Sequence, residues 1–192
     1  MYFLVLLVIL LIVYVLYKFS NNIKLPSKIH YSGMTHDDVD EIHSIEMGVY
    51  NTNDEVPSKL FKHNLIRYCP ELCMVARYEN DEIIGAMYGG LIKGPSISND
   101  KISMGHDSDG DTLFVYSECV RNDMRGHGIG SEISKYYYNE WVNYGDKIKY
   151  ASTSVRSRHI EWSKKLGFSY VGISDIKAGN EPWFDVTKKI KQ

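Results

Sequence analysis

Cysteine is scarce and irregularly spaced in this 192-residue chain, which has three, at positions 69, 73 and 119. Neither the odd number nor the spacing fits a disulfide framework or a zinc knuckle, so we expect reduced, buried thiols and no metal site. A basic excess is also missing, because 22 lysines and arginines stand against 24 aspartates and glutamates. A general nucleic-acid binder needs a basic surface, so this balance excludes that class and favours cationic substrates.

Charged residues are absent from the first 17 positions, which hold Leu, Val, Ile, Phe and Tyr after the initiating Met. Residues 1–19 would span roughly 28 Å as a helix, close to a bilayer core of about 30 Å. The run has no preceding basic residue and no small-residue cleavage site, unlike a secretory signal peptide. We therefore predict an uncleaved membrane anchor, with a buried core helix as the alternative.

The lysines nearest to this run, Lys18, Lys24 and Lys28, all follow it. The positive-inside bias then predicts a single-pass protein whose globular part faces the cytoplasm. The remaining length allows one ordinary domain. We predict the anchor over 1–19, a polar linker over 20–27 and one domain over 28–192.

Hydrophobic periodicity predicts alternating strands and helices in that domain, which is typical of a layered α/β fold. A long polar loop is expected over 93–111. The predicted elements are, in chain order, a strand at 28–34, helices at 35–50 and 58–68, strands at 72–78, 82–91 and 112–120, a helix at 128–144, a strand at 147–154, a helix at 156–165 and strands at 168–173 and 182–186.

A glycine-rich segment, RGHGIG at 125–130, lies between a predicted strand and a predicted helix. Glycines let the backbone approach a ligand closely, and the free N–H groups of a helix's first turn attract an anion. Arg125 and His127 would add side-chain donors. The segment therefore predicts a diphosphate site, with a ligand-free glycine turn as the alternative. A P-loop is excluded because no Lys-Ser/Thr pair follows the glycines.

Arg125, Gly128 and Gly130 match the Arg/Gln-x-x-Gly-x-Gly/Ala signature of the GNAT superfamily of N-acetyltransferases, which this chain resembles over residues 30–186. It is most similar to the arylalkylamine (serotonin-type) enzymes, through YCPELC at 68–73, IIGA at 83–86, KLGF at 165–168 and VG at 171–172. The resemblance implies an α/β fold with a mixed, mostly antiparallel seven-stranded sheet flanked by helices. That sheet would be splayed between its fourth and fifth strands, with acetyl-CoA in the gap.

Acetyl-CoA is the co-substrate that the resemblance implies, without a metal. The fourth strand would offer backbone groups to the pantetheine arm, and the glycine-rich segment would hold the pyrophosphate. The residues implied for binding are Glu118, Cys119, Val120, Arg125, Gly126, His127, Gly128, Ile129, Gly130 and Ser131.

The residues that usually transfer protons in the arylalkylamine enzymes are absent from the corresponding positions of this chain. Phe114 and Tyr116 stand where those enzymes have two histidines, and Ser163 stands where they have a tyrosine. Period-two geometry predicts Phe114, Tyr116 and Glu118 on one face of the strand, so Glu118 is the candidate general base. Tyr116, Ser163 or water would then protonate the leaving thiolate. An ordinary ion-paired role for Glu118 stays open.

Acidic residues on the first predicted helix and before the second occupy positions that form a wall of the acceptor site in the family, so they would steer an amine cation toward it. A solvated helix face is the alternative. They are Asp37, Asp38, Asp40, Glu41, Glu46, Asp54 and Glu55. The sequence thus predicts an N-acetyltransferase that acts by direct attack in a ternary complex on a small arylalkylamine or polyamine. A protein N-terminus or lysine as acceptor, and a non-catalytic acyl-CoA-binding module, are the alternatives.

Overall fold

The computed structural model of the protein describes residues 29–50, 55–78 and 80–190. The predicted anchor and linker lie outside the described residues. The strands are β1 His30–Gly33, β2 Cys73–Arg77, β3 Ile83–Ile92, β4 Thr112–Val120, β5 Tyr150–Arg156, β6 Ser169–Ile173 and β7 Trp183–Lys189. The α-helices are α1 Val39–Val49, α2 Lys59–Tyr68, α3 Asn99–Ser103, α4 Ile129–Tyr136 and α5 Ile160–Lys165.

The seven strands form one sheet in the order β1-β2-β3-β4-β5-β7-β6. Neighbouring strands are antiparallel except β4 and β5, which run parallel. Parallel neighbours need a crossover connection, and α4 supplies it here. The predicted mixed, mostly antiparallel seven-stranded sheet is confirmed.

Helices cover both faces of the central strands, so all ten residues of β3 are buried. The Tyr88 hydroxyl reaches Glu46 of α1, whereas a Cβ added at Gly85 would lie 2.8 Å from Ile133 of α4. These two β3 positions are an odd number of residues apart and therefore face opposite sides. The three cysteines are buried, as expected from the sequence.

Three local predictions differ from the structure. The predicted helix at 128–144 is α-helical only through Tyr136 and continues as a π-helix over Tyr137–Trp141, with Tyr137 and Tyr138 both buried. The predicted loop at 93–111 contains α3, where Ile102 packs on the cluster of Ile92, Ile97 and Phe114. Finally, β5 extends to Arg156, and a 3-10 turn precedes α5.

Within the described ranges, no helix has both the length and the apolar character needed to cross a membrane.

Candidate functional site

A cleft opens where β4 and β5 part. The two strands pair only from Thr112–Phe114 to Tyr150–Ser152, and the Thr153 hydroxyl donates to the Val115 carbonyl, 3.0 Å away, just beyond. Farther along, the strands lose contact, and a cavity of about 400 Å³ extends beside them. Main-chain groups that face this gap are left for a ligand, because strand N–H and C=O groups require partners.

A β-bulge in β4 divides the side chains around this cleft. Tyr88 pairs with Ser117 and Gly89 with Val115, so Tyr116 is an extra, unpaired residue. Two consecutive side chains, Tyr116 and Ser117, consequently face α1 and α2.

Because of the bulge, Glu118 faces α4 instead. Its Oε1 lies 3.3 Å from where a Cβ would stand at Gly130. The prediction that Phe114, Tyr116 and Glu118 share one face is therefore wrong: Phe114 and Tyr116 remain together, with ring centroids 4.9 Å apart.

The glycine-rich segment forms the α4 side of the cleft. Gly126 and Gly128 have φ of 80° and 84°, a left-handed conformation that favours glycine, and Gly128 caps the N-terminus of α4. The backbone N–H of Glu132 donates to the Gly128 carbonyl, and this hydrogen bond closes the first turn of α4. The backbone N–H groups before Glu132 have no acceptor within the helix and are free to bind an anion.

Most residues predicted to bind the cofactor meet at this place. The structure brings eight of them to the cleft wall, namely Glu118, Val120, Arg125, Gly126, Gly128, Ile129, Gly130 and Ser131. Cys119 is buried on the α1 side, near Glu46 and Lys62, and His127 is absent from the wall.

Two basic side chains that the sequence did not single out adjoin the glycine-rich segment. Arg158 and His159, in the turn before α5, line the same cleft as Arg125. Partial burial and the charges of Arg158 and Arg125 lower the pKa of His159. Trp162 of α5 donates from its indole Nε1 to the Ser131 hydroxyl over 3.0 Å, which ties α5 to the first turn of α4. Amide donors and cations at one place suit a phosphate-bearing ligand.

Glu118 is held beneath the first turn of α4. Burial raises the pKa of its carboxyl to about 8, and the nearby Ser134 hydroxyl offsets part of that effect. The group is therefore mostly neutral at pH 7, so it adds little negative charge beneath the amides of the glycine-rich segment.

The other two predicted proton-transfer residues are poorly placed for that role. Tyr116 packs edge-on against Phe61, and its buried hydroxyl has no hydrogen-bond partner among the described residues. Burial raises the pKa of Tyr116. The Ser163 hydroxyl donates to the carbonyl of His159, the residue that caps the N-terminus of α5, over 3.0 Å. Glu118, Tyr116 and Ser163 all line the cleft, but Tyr116 and Glu118 lie on opposite faces of the sheet.

A buried ion pair closes another part of the cleft wall. Arg156 lies 2.8 Å from Glu55, and both side chains are almost fully buried. Arg156 also donates to the carbonyls of Ala178 and Glu181 and stacks on the ring of Trp183, 3.9 Å from its centroid. The segment before α2 is thereby fixed to the loop between β6 and β7.

Several carboxylates of the predicted acidic wall are paired with cationic side chains. Asp38 pairs with Arg77, and Asp40 pairs with Lys59, each at 2.6 Å. Glu46 is fully buried. Cationic partners neutralise Asp38, Asp40 and Glu46, whereas Asp37 and Glu41 are exposed. Electrostatic steering by this helix stays a prediction, and Asp54 lies outside the described residues.

Comparison with known proteins identifies the fold. No protein-family model and no curated protein sequence matches this chain. Solved structures do match. Naa50 from Arabidopsis thaliana, in complex with the bisubstrate analogue CoA-Ac-MVNAL, is 17% identical with a TM-score of 0.63 over 84% of this chain and 99% of that one.

Two other matches bind different ligands. The diaminobutyrate acetyltransferase EctA from Paenibacillus lautus, in complex with L-2,4-diaminobutyric acid and coenzyme A, is 16% identical with a TM-score of 0.57 over 84% of this chain and 95% of that one. The GphF GNAT-like decarboxylase, in complex with isobutyryl-CoA, is 15% identical with a TM-score of 0.67 over 83% and 98%. The protein has the GNAT fold, as the resemblance implied.

Proposed function

We propose that the protein is a GNAT-type N-acetyltransferase that transfers acetyl from acetyl-CoA to a primary amine in a ternary complex. The observation that carries this proposal is the parting of β4 and β5 beside the glycine-rich N-terminus of α4. A thioester arm fits between the strands, and a diphosphate fits the amides that precede Glu132. Structural neighbours with this fold bind coenzyme A or acyl-CoA ligands.

The two sides of the cleft suit the two reactants. The α4 side, with Arg125 and Arg158, has the donors and cations for the phosphates of acetyl-CoA. The α1 side, with Tyr50 and Ser117, has hydroxyl groups beside the gap for the amine. Holding the reactants together supplies much of the rate, and a free strand N–H would polarise the thioester carbonyl.

A small arylalkylamine or polyamine is the acceptor we favour over a protein N-terminus or lysine. Arg156 joins Glu55 to the loop between β6 and β7, and such a link narrows the approach to the cleft for an extended peptide. Aromatic rings of Tyr116 and Trp183 line the cavity and would contact an aryl group. The neighbours include ligands of both kinds, since one is in complex with a small diamino acid and another with a peptide conjugate.

Calorimetry and a thiol-release assay test this function. Purified protein should bind coenzyme A, and Arg125→Ala should weaken that binding, whereas Lys135→Ala, on the exposed face of α4, should not. Free thiol should appear from acetyl-CoA when phenethylamine, tryptamine or spermidine is added, with higher rates at higher pH. Turnover only with peptides would identify a protein acceptor. Binding without turnover of any amine or peptide would identify a non-catalytic module and contradict the proposal.

We also propose that residues 1–19 anchor the domain of residues 28–192 to a membrane, through the linker 20–27, with that domain on the cytoplasmic side. The support is the uncharged run up to Tyr17 and the lysines that follow it. Full-length protein should sediment with membranes and resist carbonate extraction. A chain that starts at residue 20 should be soluble and bind coenzyme A equally well. An insoluble product would mean that the segment belongs to the core.

A further inference from the structure

A buried ion pair lies behind the α1 side of the cleft. Lys62 Nζ is 2.7 Å from Glu46 Oε2, and both side chains are fully inaccessible to solvent. Removing two charges from water costs several kcal/mol per ion, so apolar residues of the same size would generally be no less stable. The pair therefore calls for an explanation other than stability.

Hydrogen bonds link this carboxylate to the cleft in a fixed direction. Ser117 donates to Glu46 Oε1 over 2.5 Å, and the Tyr50 hydroxyl lies 3.1 Å from Ser117 Oγ. A serine hydroxyl has one hydrogen, and here Glu46 receives it. Tyr50 must therefore donate to Ser117, so every hydrogen of this chain points from the cleft toward Glu46. Tyr50 and Ser117 both line the cleft.

Donors from three elements surround the Glu46 carboxylate, at the end of the hydrogen-bonded chain. Tyr88 donates to Oε1 over 2.6 Å, from β3. Lys62, from α2, also donates to the Pro57 carbonyl and to Nδ1 of His43, 3.2 Å away. The half-buried His43 is the outermost member of the group, and burial together with Lys62 lowers its pKa.

Two further titratable groups approach this network from β4. Cys119 lies on the same side, and its thiol stays protonated because burial and Glu46 raise its pKa. Glu118 lies across the strand and faces α4. Burial and the charge of Glu46 likewise raise the pKa of Tyr50, which keeps it a hydroxyl able to pass a proton on.

We propose that Tyr50, Ser117 and Glu46 form a proton chain that removes the proton of the bound ammonium substrate, a role that rests on the proposed function. The ammonium N–H bond breaks and its proton goes to Tyr50 Oη. Tyr50 passes its own hydrogen to Ser117, and Ser117 passes its hydrogen to Glu46 Oε1. Tyr50 is the catalytic residue because it faces the substrate, whereas Ser117 and Glu46 act through it.

The remaining steps balance the reaction. The neutral amine attacks the acetyl carbonyl, the C–S bond breaks, and a second proton of the nitrogen leaves with the thiolate as coenzyme A thiol. Glu46 returns to the carboxylate when the Lys62 ammonium gives a proton to His43 Nδ1, Lys62 takes the proton of Glu46 in its place, and His43 releases a proton to solvent. One proton thus reaches solvent for each amide formed.

The test compares kcat for acetyl-CoA and a fixed amine between pH 6.5 and pH 10. Tyr50→Phe and Ser117→Ala should lower kcat at pH 7 by about 10- to 100-fold, within the range for general acid–base catalysis. Coenzyme A affinity should stay unchanged. The deficit should shrink toward pH 10, because an amine with a pKa of about 10.4 then arrives largely deprotonated. Tyr137→Phe, which removes a buried bond of 2.8 Å to the Leu72 carbonyl on the α4 side, is the matched control and should behave like the wild type.

Glu46 is tested in a double variant, because Glu46→Gln alone would leave Lys62 unpaired. Glu46→Gln with Lys62→Met preserves volume and should reproduce the pH-dependent loss. Equal pH profiles for wild type and Tyr50→Phe would overturn the proton chain and leave the acetyltransferase proposal standing. A loss in Tyr50→Phe that is the same at every pH would also overturn it. No turnover by the wild type with any amine would overturn both proposals.

Discussion

Glu118 makes the stability of the fold depend on pH in an unusual direction. Its folded pKa is about 8 against an ordinary value of 4.5, so between these values the folded state binds more protons than the unfolded state. Stability is then fully present below pH 4.5 and falls as pH rises toward 8. The difference between the two pKa values corresponds to about 5 kcal/mol of stability, of which about 3 kcal/mol is already lost at pH 7. Partial exposure to the cleft makes these values upper bounds.

Glu118→Gln removes this titration while preserving shape. The difference in unfolding free energy between the variant and the wild type should increase by up to about 4 kcal/mol from pH 5 to pH 9, in favour of the variant. That is a large part of a typical stability of 5–15 kcal/mol. Urea denaturation at pH 5, 7 and 9 measures it, and Glu132→Gln, at an exposed position of α4, controls for loss of one charge.

Ligand binding should report the same group. Coenzyme A affinity of the wild type should fall as pH rises through 8, because ionised Glu118 would repel the phosphates, and Glu118→Gln should lose that fall. A difference in stability that stays constant from pH 5 to pH 9 would refute the reasoning. It would mean that the N-terminus of α4, which favours an ionised carboxylate, outweighs burial.

Three substitutions test the packing and the ion pair by urea denaturation. Gly90→Ala should cost about 3 kcal/mol or more, because the new Cβ would overlap the Gly105 carbonyl, whereas Gly33→Ala, with nothing within 4 Å, should be nearly neutral; equal costs would contradict the packing. Gly128→Ala should cost about 1–2 kcal/mol through its φ of 84° and weaken coenzyme A binding, and unchanged binding would argue against the anion site. Lys62→Met should cost about 3–5 kcal/mol by leaving Glu46 unpaired, and adding Glu46→Gln should restore most of it; no recovery would mean that the pair acts through packing alone.

The sheet and the glycine-rich end of the site could be predicted because their signals are local. Alternation in β4 and the glycines at 126, 128 and 130 are properties of adjacent residues, and they favour a strand and a tight turn without knowledge of the folded chain. The position of Glu118 could not be predicted, because the bulge at Tyr116 depends on how β3 and β4 pair. One unpaired residue moved every later side chain of β4 to the opposite face.

The residues on the α1 side of the site could not be predicted, for a different reason. Glu46 and Lys62 have the appearance of solvated residues on amphipathic helices, and they are 16 positions apart in the sequence. Only the packing of α1 against α2 brings them together and buries them. Arg158 was missed similarly, since the turn before α5 carries no motif and approaches Arg125 only in the folded chain.

The bulge at Tyr116 also separates two selective pressures within one strand. In the proposed function, Glu118 and Val120, which follow the bulge, line the side of the cleft that holds acetyl-CoA, whereas Tyr116 and Ser117 lie on the side of the amine. A change of acceptor specificity can therefore accumulate on the α1 side without disturbing the carrier, and engineering can treat the two halves of β4 as independent. Deletion of one residue at the bulge would turn every later side chain of β4 to the opposite face and would disrupt both sides of the cleft.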